Sequence, residues 1–214
     1  MRKPEFITFT GVDNHTPVLG MIALAEKYPI EWGVLLSPSR TGNDPRYPSW
    51  DSVFRLTGGD LRYAAHLCGD HSQFVMDERG VELPIGLLCR FSRLQINHKS
   101  PRVIPMANFA ARMGARCIGQ TRERFPETRR VDWLFDPSGG RGEKPSEWPE
   151  HPGFLVGYAG GINPDNVQDV LAAINANGRY WIDMESGVRT DNIFDLEKCR
   201  QVCERVYGRA GALR

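Results

Sequence analysis

The stretch FLVGYAGGINPDNVQDVLAAINANGRYWIDMESGV, residues 154–188, decides the fold. It opens on an apolar run that ends in two glycines, passes through a segment of helical periodicity, and returns to a second apolar run ending in Asp-Met-Glu-Ser-Gly. Asn163 reads as a helix N-cap, Pro164 fits the first helical position, Asp165 sits in the positive first turn, and Gly178 reads as the closing residue. Val167, Val170, Leu171 and Ile174 then fall on one face. A strand, a helix and a second strand with no tight turn between them make a parallel βαβ unit.

Working outward, six more short runs share this character: FITFTG (6–11), EWGVLLS (31–37), LRYAAHLCG (61–69), RLQINH (93–98), ARCIGQT (115–121) and VDWLFD (131–136). Most are followed by helical periodicity, as in TPVLGMIALAEKY (16–28) and SWDSVFRL (49–56). DLEKCRQVCERVYGR (195–209) has Asp195 as its cap and Leu196, Cys199, Val202, Cys203 and Val206 as its stripe. Eight βα units in 214 residues predict a single-domain (β/α)8 TIM barrel over residues 1–214, with an open doubly wound sheet as the alternative. Two units fit less well. The sixth, GEKPSEWPEHPG, has too many prolines for a long helix, and the third is interrupted by Gly80 and Pro84.

Composition narrows the partners. With 27 basic and 26 acidic residues spread along the chain, the net charge of +1 leaves no footprint for nucleic acid or an anionic membrane. The N-terminal MRKPEFITF holds no apolar run of signal-peptide length, and no window approaches the roughly 18 apolar residues of a spanning helix. A cytoplasmic protein is expected. Five cysteines without paired spacing argue against a disulfide framework and a structural zinc site, and Cys199 and Cys203 read as half-buried helix residues.

Barrel sites lie at the C-terminal ends of the strands, and here those ends are polar. Thr8 and Thr10 alternate on the first strand, Gln95 and Asn97 on the fourth; Asp136 ends the sixth, and Asp183 with Glu185 ends the eighth. Asp136 follows a hydrophobic strand directly, where a buried carboxylate suits a general acid, although Asp before Pro also suits a plain turn. The glycine pair Gly160–Gly161 and the Ser186–Gly187 turn let backbone N–H groups approach an anion, with the helix near Asn163 adding positive charge. His66, Cys68, Asp70 and His71 gather near the third strand end without a clear third metal ligand, so no metal is expected. His15 and His98 read as turn residues, and Arg40 and Arg46 lie in the loop expected to overhang the site.

Together these segments resemble the phosphoribosylanthranilate isomerase family, in order and over nearly the whole chain. GVLLSPSRTGNDPRYPSW looks like its second strand and arginine-bearing loop, RLQINH like its fourth strand, and LFDPSGGRGE like its acid-bearing strand and glycine loop. YAGGINPDNV and IDMESGV are similar to its two phosphate-gripping segments. The resemblance implies a TIM barrel and an Amadori rearrangement of an aminoaldose to an aminoketose, without a cofactor. It implies Asp136 as general acid, Arg46 and Asp183 as substrate contacts, and a small anionic substrate bound by a monomer or homodimer. Gln95, Asn97 and Glu185 join the expected substrate contacts, and Gly160, Gly161, Ser186 and Gly187 the phosphate contacts.

The chain departs from the family at two places. The base is usually a first-strand cysteine in the motif KICG, and here the motif reads TFTG, with Thr10 in the cysteine's position and Thr8 in the lysine's. A threonine hydroxyl cannot serve as that base unaided near neutral pH. Glu185 stands where the family has a serine beside the phosphate, and would repel a dianion unless Arg189 or Arg141 offsets it. Three readings follow: an isomerase with a relocated base (Asp13, His66 or Asp183), a related barrel enzyme on a different carbonyl or sugar compound, and a catalytically silent barrel that binds a small anion. The first leads because the resemblance names a whole reaction. Asp136, Arg46 and Asp183 together favour an enzyme over a silent binder, since a closed unpaired carboxylate costs stability, while the lost cysteine and Glu185 favour the second reading over the first.

Overall fold

In the computed structural model, which describes residues 2–79 and 85–209, eight parallel strands close into a barrel in sequence order. They are β1 (Ile7–Thr10), β2 (Ile30–Leu36), β3 (Tyr63–Leu67), β4 (Arg93–Ile96), β5 (Arg116–Thr121), β6 (Asp132–Phe135), β7 (Val156–Ala159) and β8 (Tyr180–Met184). The helices are α1 (Val18–Ala25), α2 (Trp50–Leu56), α3 (Asp70–Met76), α4 (Ile85–Leu88), α5 (Val103–Arg112), α6 (Val167–Ile174) and α7 (Leu196–Tyr207). The expected interruption at Gly80 and Pro84 lies outside the described residues. No described helix is long and apolar enough to cross a membrane.

Strand side chains alternate between two environments. Outward residues such as Phe9, Trp32, Val34, Leu67 and Ile182 form the larger core beneath the helices. Inward residues Phe6, Ile118, Leu134, Ala159 and Trp181 form a separate apolar plug inside the barrel, with Phe6 stacked on Trp181 at 5.8 Å. The same inward parity carries polar groups above the plug, at Thr10, Gln95, Gln120, Asp136 and Asp183, and charged ones below it, at Glu31, Arg93 and Asp132. The register sets Thr8 beside Glu31 on one side and Asp183 on the other.

The outer layer differs from the sequence expectation in three respects. Neither the β5–β6 nor the β6–β7 connection contains a helix, although only the second is signalled by its prolines. Aromatic rings cover the barrel there instead: Phe125 packs edge-on against Phe135 and Tyr158, and Trp148 packs against Phe135 and Tyr158, with centroids 5.2–6.4 Å apart. Second, α6 begins at Val167 rather than at Pro164, because Asn163 Oδ1 accepts from the N–H groups of Asp165 and Asn166 and holds residues 163–166 as a turn. The helix closes on Asn175 at φ 42°, not on Gly178. Third, a short hairpin pairs Arg189–Thr190 (β9) with Ile193–Phe194 (β10) between β8 and α7, turning on Asp191 and Asn192 at positive φ.

α7 follows the sequence closely. Asp195 accepts from the N–H groups of Glu197 and Lys198, and Cys199, Val202, Cys203 and Val206 are its buried residues. Both cysteines are fully buried rather than half-buried.

Candidate functional site

The polar strand ends converge on a cavity of about 60 Å³ at the C-terminal mouth, lined by Thr10, His66, Gln95, Asn97, Gln120, Asp136, Asp183 and Glu185. Gly160, Gly161 and Ser186 line it as well. An adjoining space of about 240 Å³ shares the walls Leu35, Asn97, Gln120, Gly140 and Glu185 and adds Arg40, Arg46, Cys68, Lys99 and Arg122. The inner compartment is acidic at its floor and the outer one cationic, a division suited to a substrate that reacts inside and carries its charge outside.

Asp183 is the hub of the floor. Thr10 Oγ1 donates to its Oδ1 at 2.8 Å, and its Oδ2 lies 4.0 Å from His66 Nε2. Gln95 Nε2 donates both to Asn97 Oδ1 (2.9 Å) and to His66 Nδ1 (3.1 Å). That arrangement makes Nδ1 an acceptor and assigns the imidazole proton to Nε2, the nitrogen facing Asp183. Burial pushes the Asp183 carboxyl up to about 8; the Thr10 hydrogen bond opposes the rise, and the charges of Glu31, Asp136 and Glu185 add to it. Burial, aided by Arg93, pushes His66 down to about 3, so the ring is neutral.

Asp136 is equally buried but differently held. Ser138 Oγ donates to its Oδ1 at 2.9 Å and Gln120 Nε2 to its Oδ2 at 3.4 Å. Gly142 N–H donates to the same Ser138 oxygen, which folds the loop after β6 over the carboxylate.

Gly160 and Gly161 adopt φ 128° and 61°, and a Cβ on Gly161 would come within 2.8 Å of the Lys144 nitrogen. The chain therefore needs glycine there for backbone to lie against backbone. Gly187 stands apart from the other expected phosphate contacts: it does not line the cavity, and a Cβ there would collide with the Ile162 carbonyl. Its absent side chain serves the packing of the β8 turn on the β7 turn.

Glu185 reaches toward the loop after β2, where Arg46 Nη1 lies 3.3 Å from its Oε1. Arg46 also sits 3.7 Å from Asp44. Burial raises the Glu185 pKa, and Arg46 and Arg189 counter it. The expected offset by Arg141 is absent, because Arg141 pairs with Glu143. Among the proposed replacement bases, Asp13 is consumed structurally: it accepts from Thr16 Oγ1, His15 N–H, Arg189 Nη2 and Phe194 N–H and faces away from the cavity. His66 turns its protonated nitrogen toward Asp183, whose buried Oδ2 has no hydrogen-bond partner among the described residues, so Asp183 is the remaining candidate on the cavity wall.

Two residues of the floor escape sequence reading. Gln120 stands two positions after the inward Ile118 and so shares its parity, a signal present but unremarkable beside the carboxylates. Ser138 carries no strand signal at all. No three His, Cys, Asp or Glu side chains converge as a metal site among the described residues.

The fold and mouth define a (β/α)8 barrel with two buried carboxylates in one C-terminal cavity. Residues 118–205 match the family described as N-(5'phosphoribosyl)anthranilate (PRA) isomerase. The enzyme of that name from Zygosaccharomyces bailii is 38% identical over 79 residues, 33% of this chain and 37% of that protein. Its counterpart from Methanococcus maripaludis is 38% identical over 53 residues, 25% of this chain. The matched segments thus span 37% and 24% of these relatives' lengths. TrpF from Jonesia denitrificans superposes with a TM-score of 0.65 at 19% identity, over 95% of this chain and 97% of that one. Phosphoribosyl anthranilate isomerase from Thermotoga maritima superposes with a TM-score of 0.62 at 14% identity, over 95% and 98%. These superpositions establish the barrel.

Proposed function

We propose that the protein is an aldose–ketose isomerase of the phosphoribosylanthranilate type, acting in tryptophan biosynthesis, with Asp136 as general acid and Asp183 as the relocated base. The observation that carries this reading is the pair of buried carboxylates in one cavity, one held by Ser138 and Gln120 and the other by Thr10 and opposite His66. Asp136 protonates the ribose ring oxygen as the ring opens to a Schiff base. Asp183 then removes the C2 proton, and the resulting enolamine relaxes to the aminoketose. A base poised near 8 is matched to chemistry at neutral pH, far better than a threonine hydroxyl. Thr10, in the position of the family's cysteine, becomes a donor that orients the base and favours its ionised form.

Gly160, Gly161 and Ser186 approach the phosphate through backbone groups, while Gln95 and Asn97 contact the sugar. Arg40, Lys99 and Arg122 supply cations for a substrate carboxylate in the outer compartment, because Arg46 is engaged by Glu185. A solved relative bound to reduced 1-(o-carboxyphenylamino)-1-deoxyribulose 5-phosphate supports a substrate of this class. The working protein needs no cofactor and acts in the cytoplasm as a monomer or homodimer.

A second reading rests on the same Glu185: a carboxylate beside the phosphate position suits an unphosphorylated sugar or carbonyl compound. Complementation separates the two. Cells lacking phosphoribosylanthranilate isomerase should grow without tryptophan when they carry this protein, and should fail with Asp136→Asn. No growth, with the folded protein present in the lysate, would favour the other substrate.

A further inference from the structure

The opposite, N-terminal mouth of the barrel holds a cavity of about 570 Å³ that the reaction does not use. Five guanidinium groups line it: Arg62, Arg93, Arg116, Arg129 and Arg179. Val131, Phe154 and Leu155 supply an apolar wall between them.

The charges there do not balance. Glu31 pairs with Arg62 and Arg93, each at 3.0 Å; Asp132 pairs with Arg116 at 2.6 Å and lies 3.6 Å from Arg93 Nη2; Glu5 pairs with Arg179 at 2.6 Å. Five cations therefore face three carboxylates. Arg129 forms no ion pair among the described residues and lies over the Phe154 ring at 5.2 Å.

Arg93 is the decisive side chain. It is 4% exposed, its guanidinium lies 4.1 Å from the Trp181 ring, and its Nη1 donates to Glu31. Nε and Nη2, which form one edge of the guanidinium, have no hydrogen-bond partner in the protein although both are buried. Buried donors are ordinarily satisfied, and this edge is the one that grips a carboxylate or phosphate through two parallel bonds.

We propose that the N-terminal mouth binds a small organic oxyanion, a polycarboxylate or a phosphate ester. Two of its oxygens accept from the Nε–Nη2 edge of Arg93, Arg116 and Arg129 hold its outer charge, and its carbon skeleton lies on Phe154 and Leu155. This site stands whether or not the opposite mouth is an isomerase.

Titration calorimetry of the whole protein at constant ionic strength tests it, with citrate and inorganic phosphate as probes. A saturable component is expected that sodium chloride does not reproduce, that weakens at least tenfold in Arg129→Ala and in Arg93→Lys, and that persists in Arg46→Ala. Arg129 is exposed, so its variant remains informative if Arg93→Lys fails to fold. Stronger citrate binding would assign a polycarboxylate, and stronger phosphate binding a phosphate ester. Absence of a saturable component, one unaffected by Arg129→Ala, or one lost in Arg46→Ala would overturn the proposal.

Discussion

Asp183→Asn removes one titrating proton from the barrel interior, and its consequence is a slope against pH. Asparagine keeps the Oδ1 acceptor for Thr10 and nearly the same volume, so the packing change is small. In the folded protein the carboxyl titrates near 8, raised from its usual 3.8 by burial. Below the unfolded pKa both states are protonated and the group contributes no pH-dependent term. Between the two pKa values the unfolded chain releases the proton while the folded chain keeps it, which costs the wild type about 1.4 kcal/mol per pH unit. Above the folded pKa the cost is constant. Relative to wild type, Asp183→Asn should therefore gain roughly 4 kcal/mol between pH 4 and pH 7, whatever fixed offset the amide brings. Urea unfolding of both proteins at unit pH intervals from 4 to 9 measures this, provided the m-values agree. A stability difference that stays flat across the window would refute the raised pKa and with it the reason for choosing Asp183 as base.

Other consequences are as specific. Thr10→Val removes a hydrogen bond that favours the ionised carboxylate, so the rising limb of the kcat/KM pH profile should move up by on the order of one unit; an unmoved limb would uncouple Thr10 from the base. Glu185→Ser removes a carboxylate from the mouth and frees Arg46, so KM for a phosphorylated substrate should fall about tenfold, and an unchanged KM would mean that Glu185 does not face the phosphate. Phe125→Ala opens the aromatic cover between β5 and β7 and should cost about 3–4 kcal/mol in urea unfolding. A loss under 1 kcal/mol would show that those rings do not replace the missing helices.

Parity made much of this legible in advance. In a parallel barrel the outward residues must be apolar and the inward ones at strand ends need not be, so Thr10, Gln95, Asp136 and Asp183 interrupt their runs where a site belongs. Asp195 announced α7 because its cap is a bond to its own next residues. Relations across the chain carry no such local mark. The Glu185–Arg46 pair joins residues 139 apart, so the sequence places Arg46 on substrate and offers Arg189 or Arg141 for the offset, of which Arg189 counters Glu185 and Arg141 pairs with Glu143. Gly187 reads as an anion cradle and serves as a close contact with Ile162, since a glycine is needed for either purpose. The hairpin at 189–194 hides in two-residue strands, and aromatic cover in place of two helices emerges only when Phe125, Phe135, Trp148 and Tyr158 meet.

The most direct measurement is turnover of freshly generated phosphoribosylanthranilate by the purified protein, followed by loss of substrate fluorescence, with Asp136→Asn and Asp183→Asn alongside. Turnover is expected in the wild type, with a loss of at least a hundredfold in kcat for each variant. Folded wild-type protein that leaves the substrate unchanged, or turnover that survives both substitutions, would contradict that expectation.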